Sequence, residues 1–280
     1  MANIGATTAF YKVETSLTRA NNEVSKSMER LATGRQNANA GDRSSYVAMA
    51  DTFRLDYVGT KAGIKGASVV MGYLETGMRV LDAASALLAR LQELAVLGAN
   101  ETNTTADAAA INAEAEAIGD EFDRLMSGST YKGKNVFVSS AGSEYVSLGG
   151  RDAEMTFGIA TISYTELHDG TNDSTTDLAH LASAGASSAT NTLTQDIEAV
   201  QKKVNTARVQ AGSQYAALES AVNYTTDLTA QYELGYNTVN DVNFSMETAH
   251  LAKNQILQQA ATAMLAQANQ GQQGLLQLLQ

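Results

Sequence analysis

The sequence predicts a mainly α fold of long antiparallel helices in coiled-coil or bundle packing, with a small β-hairpin element. Three observations carry that prediction. The chain of 280 residues contains no proline, where average usage of about 5% would supply roughly 14, so nothing locks φ or removes a backbone donor inside a helix. Apolar residues recur three and four residues apart over long stretches near both ends, the period of an amphipathic helix. One short stretch between them alternates apolar and polar around Gly149-Gly150-Arg151-Asp152, a hairpin pattern.

In chain order, Phe10, Val13, Leu17, Ala20, Val24, Met28 and Leu31 form an a/d seam. Thr33-Gly34 ends that helix, with the glycine as a left-handed cap, and residues 34–43 form a polar connector. A second helix is expected from Ser44 to Asn100, with Phe53, Tyr57, Ile64, Val69, Met71, Leu74, Met78, Leu81, Leu88 and Leu91 as its apolar positions. Glycines 59, 63, 66, 72 and 77 interrupt it. Each costs up to ~1 kcal/mol against alanine, so either the helix breaks or something packs very closely; a weak point is expected near 59–72.

Thr104 with Asp107 fits a capping box, and Ile111, Ile118, Phe122 and Leu125 mark a helix ending near Ser127-Gly128. Tyr131–Phe137 reads as a turn into a short strand, and Glu144–Leu148 with Glu154–Ile159 as the hairpin. Residues 161–190 are dominated by small and polar residues and read as a small exposed tip. The cleanest seam is Ile197, Val200, Val204, Ala207, Ala211, Tyr215, Leu218 and Val222, expected to pack along the helices of residues 44–127.

The C-terminal stretch Ile256–Gln270 is apolar around most of a helix, with Gln258, Thr262 and Asn269 as a narrow polar stripe. Such a helix must be covered, and nothing in the last dozen residues does so; the cover comes from a distant segment or from another copy. The expected organisation is therefore three-part. Residues 1–43 with 236–280 form paired terminal helices, 44–160 with 190–235 form a helical rod with the hairpin, and 161–190 form the tip.

Several functions are disfavoured. A net charge of −11 argues against a nucleic-acid partner. No stretch approaches the ~18 apolar residues of a membrane span, and MANIGATTAFYKVETSLTRA lacks the apolar run of a cleavable signal peptide. Without cysteine there is no disulfide or thiolate metal site. His168, His180 and His250 lie far apart, and neither HExxH nor a P-loop occurs. Glu114, Glu116, Asp120 and Glu121 read as a solvated face. No catalytic residue, metal or cofactor is expected, and the enzyme reading has no positive support.

Asn240–Gln270, NDVNFSMETAHLAKNQILQQAATAMLAQANQ, followed by Leu275-Leu276-Gln277-Leu278-Leu279, resembles the C-terminal signature of bacterial flagellin. Glu29-Arg30-Leu31-Ala32-Thr33-Gly34 and Leu91-Gln92-Glu93-Leu94-Ala95-Val96 resemble two further signatures of that family. Together they cover roughly residues 1–160 and 190–280. The connector departs from the family pattern, with only Ala40 and Asp42 fitting well.

The resemblance implies a structural subunit that self-assembles into the flagellar filament for motility. Such a subunit is extracellular, exported through the flagellar type III channel without cleavage. Implied partners are further copies of itself, other flagellins, the flagellar cap and junction proteins and an export chaperone. One alternative is the hook–filament junction protein, which is similar at the N-terminus; the ILQQA…LAQANQ…LLQLLQ ending argues against it. Another is a secreted coiled-coil adhesion or interaction module, which would form discrete oligomers. The residues expected to carry self-assembly are Phe10, Val13, Leu17, Val24, Met28 and Leu31 with Ile256, Leu257, Met264 and Leu265. In a free monomer the apolar faces of both terminal segments exceed what one pairing covers, so these segments are expected to be disordered before assembly.

A second patch is set by Arg79, Asp82, Arg90 and Glu93 on one helical face, with Leu94 as an exposed apolar neighbour of Arg90. The resemblance implies that Arg90, Leu94 and Glu114 contact the flagellin-sensing Toll-like receptor, with Gln92 standing where a flagellin frequently has arginine.

Overall fold

With no proline to interrupt them, the two longest helices run 55 residues each. The computed structural model describes residues 8–39, 41–149, 153–163, 167 and 186–278. Its helices are α1 (Thr8–Thr33), α2 (Ser44–Gly98), α3 (Thr105–Gly128), α4 (Ala186–Asn240) and α5 (Phe244–Leu278). Between α3 and α4 lie β1 (Thr130–Tyr131), β2 (Lys134–Asn135), β3 (Phe137–Val138), β4 (Glu144–Ser147), β5 (Glu154–Phe157) and β6 (Ile159–Ala160). The fold class is as predicted. The chain forms two compact units, Met1–Tyr57 with Ala230–Gln280, and Val58–Thr229.

The unit spanning Val58–Thr229 holds the contiguous apolar core, which runs from Ala67 to Leu218. Along α2 one buried series is Gly63, Ala67, Val70, Leu74, Gly77, Leu81, Ala84, Leu88, Leu91 and Ala95, alternately four and three residues apart as in a heptad seam, with Thr60, Tyr73 and Leu94 buried beside it. Val69, expected inside, is 43% exposed, and Val70 takes the inward position. The α4 seam is as expected, with Ile197, Val200, Val204, Ala207, Ala211 and Leu218 buried and Tyr215 and Val222 packed at its edge. Contacts from Thr229 to Thr60, Arg208 to Asp82 and Gln201 to Ser85 run in opposite order along the two helices, so α2 and α4 are antiparallel.

The expected weak point at 59–72 is instead a place of close packing within an unbroken helix. A Cβ on Gly63 would overlap the Leu148 backbone, and one on Gly59 would meet the Gly149 carbonyl oxygen at 2.7 Å. At Gly77 it would overlap Ile159 and reach Val136 Cγ1 at 2.9 Å. Gly63 and Gly77 thus occupy seam positions so that the β segment can lie against the helix backbone. Tyr73 fastens the same layer: its hydroxyl donates to the carbonyl of Val136 at 2.5 Å, and burial, then Glu144, raises its pKa.

The β segment is built from short pairs. Lys132 and Gly133, with φ of 52° and 79°, make the two-residue turn between antiparallel β1 and β2. Strands β4 and β5 form the expected hairpin, Val146 opposite Met155. The expected run Glu154–Ile159 divides at Gly158, where φ is 131°, and the chain turns into β6, which pairs in parallel with β3. Gln214 on α4 holds that turn, accepting from the Gly158 amide at 3.1 Å and donating to its carbonyl at 3.2 Å. Most of residues 161–190 lies outside the described residues, while Ile162 and Leu167 belong to the core.

The α3 start is the capping box that the sequence suggested. Thr104 N donates to Asp107 Oδ2 at 2.9 Å, and Asp107 N donates to Thr104 Oγ1 at 3.3 Å. The Thr104 hydroxyl, donating to Oδ2 at 2.7 Å, and then the Thr104 amide hold the Asp107 carboxyl below the usual aspartate range.

Glycine substitutions separate close packing from mere helix composition. Gly63→Ala is expected to destabilise the chain by about 1–3 kcal/mol or more, the usual cost of overpacking. Gly212→Ala, where nothing lies within 4 Å of the new Cβ, is expected to stabilise by about 0.5–1 kcal/mol. Urea unfolding of the two variants beside the parent checks both signs.

Candidate functional site

The terminal unit is organised by α1 packed against α5. On α1 the positions turned inward, buried or half-buried, are Val13, Leu17, Ala20, Val24, Ser27 and Leu31. On α5 they are Glu247, Leu251, Asn254, Gln258, Ala261, Leu265 and Ala268. Both sets alternate four and three residues apart, so each helix presents one heptad stripe to the other.

Polar contacts fix the register. Gln258 Nε2 donates to Asn21 Oδ1 at 2.7 Å, and Arg30 Nη1 lies 3.9 Å from Glu247 Oε1 with the glutamate side chain only 10% exposed. Beyond the helix ends the two connectors form a short antiparallel bridge, Arg35 opposite Asp241. There Gln36 N donates to the Asn240 carbonyl at 2.7 Å, and Val242 N donates to the Gly34 carbonyl at 3.1 Å. Asn37, itself buried, donates from Nδ2 to the Val239 carbonyl at 3.3 Å. Gly34 has φ +70°, so the expected left-handed cap is what turns α1 into this bridge.

What the pair buries is small. Among the described residues of this unit the buried hydrophobic side chains are Ala20, Ala50, Val242 and Ala261. Several larger ones stay about half in water or more: Ile256 is 65% exposed, Leu257 49%, Met264 51%, Met28 52% and Tyr11 60%. Scattered exposed apolar residues are ordinary, but a stripe of them beside an alanine-lined seam is not.

The expected assembly residues therefore separate into two groups. Val13, Leu17, Val24, Leu31 and Leu265 face the partner helix within the chain, and Ile256, Leu257 and Met264 face away from it. Met28 is corrected: it leaves the seam, and Ser27, 3% exposed, occupies the inward position. Of the residues expected on a narrow polar stripe, Gln258 turns toward α1, whereas Thr262 and Asn269 are exposed. The Phe10 side chain lies outside the described residues.

The second patch is assembled only in part. Arg90 joins α2 to α3 through Glu114, with Nη2 donating at 2.6 Å and Nε at 3.0 Å, and it also donates to Glu93 at 2.7 Å. Bonding to Glu114, then to Glu93, raises the arginine pKa. Arg90 and Glu114 are about half exposed. Leu94, expected at the surface, is 1% exposed and belongs to the core. Three residues after Leu91 and next to Ala95, it lies on the buried face of α2.

Among the described residues no group of histidine, cysteine, aspartate or glutamate could hold a metal ion, and no helix is long and apolar enough to cross a membrane.

A helix pair aligned by polar register contacts, with Ile256, Leu257 and Met264 turned outward and no metal cluster among the described residues, has the features of a structural, α-helical subunit. The bacterial flagellin N-terminal helical region matches residues 5–141, and the bacterial flagellin C-terminal helical region matches residues 194–279. The chain belongs to the bacterial flagellin family and is a structural subunit of a flagellar filament. It is 25% identical over 260 residues to a flagellin of Halalkalibacterium halodurans, covering 92% of each chain. It is 27% identical over 277 residues to flagellin FlaB1 of Treponema pallidum, covering 94% of each. A flagellin of Bacillus subtilis is 26% identical over 289 residues, covering 93% of this chain and 94% of that one. The crystal structure of Bacillus cereus flagellin matches with a TM-score of 0.46 at 23% identity, covering 57% of this chain and 88% of that one.

The burial of Leu94 makes a direct prediction. Leu94→Ala is expected to cost about 2–5 kcal/mol, as for other fully buried leucines. Arg90→Ala, at an exposed ion pair, is expected to cost at most about 1 kcal/mol. Thermal or urea unfolding of the purified variants separates the two.

Proposed function

We propose that the subunit polymerises by covering the outward stripe of its paired terminal helices with neighbouring copies, without catalysis or cofactor. The observation that carries this reading is the contrast within the terminal unit. Alanines and one valine are buried, while Ile256, Leu257 and Met264 stand half to two-thirds exposed. Fully burying one such side chain contributes about 1.5–3 kcal/mol, and about half of that remains to be gained at each of these positions. A contact of this kind must be heterologous, because a filament needs an interface that does not close on itself. The reading extends to localisation and partners: an exported subunit, uncleaved, in an extracellular filament, meeting the export chaperone, the cap and the junction proteins.

A second reading, recognition by the flagellin-sensing Toll-like receptor, keeps Arg90 and Glu114 as surface contacts because both are half exposed on adjoining helices. It reassigns Leu94 to holding α2 in place beneath them. Reporter-cell signalling by Arg90→Ala and Glu114→Ala subunits decides this reading: signalling equal to the parent's contradicts it.

For assembly, the two helix faces give different outcomes. Ile256→Asp is expected to leave helicity and thermal unfolding unchanged while abolishing growth on filament seeds, because a charge would be buried without a partner. Leu265→Asp, on the inward stripe, is expected to loosen the α1–α5 pair itself and lower the helical signal. Seeded growth by light scattering, with circular dichroism on the same samples, reads both. Normal growth of the Ile256→Asp subunit would contradict the proposal.

A further inference from the structure

We propose that the terminal helices form a methionine-oxidation site on the unassembled subunit, and that sulfoxide formation at Met28 and Met264 weakens polymerisation while leaving the fold intact. This rests on the assembly reading above. The methionines of the described chain fall into two groups. Met28, Met49, Met246 and Met264 are 52%, 49%, 61% and 51% exposed, and all four lie in the terminal unit. In the other unit Met126 is 4% exposed, and Met71, Met78 and Met155 are packed against the core. Sulfur oxidation follows access, so one unit is reactive and the other protected.

The oxidant class is a peroxide, with hydrogen peroxide the simplest. The thioether sulfur attacks one peroxide oxygen; the S–O bond forms as the O–O bond breaks. The departing oxygen takes up a proton, the one carried by the transferred oxygen is released, and water leaves. Sulfur is oxidised by two electrons and the peroxide is reduced by two. No side chain of the protein need act as acid or base.

The product changes an apolar side chain into one with a strong hydrogen-bond acceptor. In the free subunit that oxygen reaches water, because Met28 and Met264 are each about half exposed, and the fold is not disturbed. Met264 lies two helical turns after Leu257 on the outward stripe. A neighbouring copy covering that stripe would desolvate the sulfoxide oxygen without supplying a donor. Leucine at the same place has no sulfur to oxidise, so the effect should vanish with the thioether.

The experiment uses the full chain treated with hydrogen peroxide, peptide mass spectrometry to place the added oxygen, and seeded filament growth. Met28, Met49, Met246 and Met264 are expected to oxidise before Met126, with circular dichroism and the thermal midpoint unchanged. The ratio of critical concentrations, oxidised over untreated, is expected to be about tenfold for the parent and near one for Met28→Leu/Met264→Leu. Three results would overturn the proposal: a parent ratio near one despite complete oxidation at these four positions, loss of helical signal on oxidation, or an equal ratio in the leucine variant. Failure of the untreated parent to grow on seeds would refute the assembly reading as well.

Discussion

The α1–α5 seam is set in register by polar contacts, and only Ala20 and Ala261 among its apolar positions are fully buried. Its inward stripes carry Ser27, Glu247, Asn254 and Gln258 among nine apolar residues, with the Asn21–Gln258 hydrogen bond and the Arg30–Glu247 ion pair across it. Polar groups at seam positions specify alignment at a cost in stability. A helix pair built this way fixes its register while Met28, Ile256, Leu257 and Met264 stay largely in water, and that combination suits a subunit whose further stability is to come from other subunits.

The unit spanning Val58–Thr229 solves the opposite problem. It buries Leu74, Leu81, Leu88, Leu91, Phe122 and Leu218 almost completely and adds a β layer pressed against the glycine positions of α2. Those glycines weaken α2 as an isolated helix and strengthen it as a packed one, since side chains at Gly63 or Gly77 would push the β segment away. Tyr73 and Gln214 then tie that segment to α2 and α4 through backbone groups of Val136 and Gly158. This unit buries its large apolar seam residues within one chain, whereas in the terminal unit Ile256, Leu257 and Met264 remain half to two-thirds exposed.

Much of this was legible in the sequence because strict periodicity survives wherever large residues are buried. The α4 seam from Ile197 to Val222 was read correctly, as were the α3 capping box and the Gly34 cap, whose chemistry is local. At two places size misleads as a proxy for burial. Counting four and three from Val13 reaches Ser27, but the larger Met28 next to it was placed on the seam. The same count along α2 reaches Gly63, Val70 and Gly77, and marks the glycines as seam positions instead of breaks. Leu94 was put at the surface by its charged neighbours, although it adjoins Leu91 and Ala95 on the inward face. The β3–β6 pairing is two residues long and left no periodic trace to follow.

The central claim is that α5 is incompletely covered in the free subunit and is completed by other copies. Amide hydrogen exchange across residues 256–268, compared between monomer and filament, tests it most directly. Fast exchange in the monomer, relative to residues 200–218 of α4, and strong protection after polymerisation is the predicted result. Protection in the monomer equal to that of 200–218, or no gain on assembly, would contradict it.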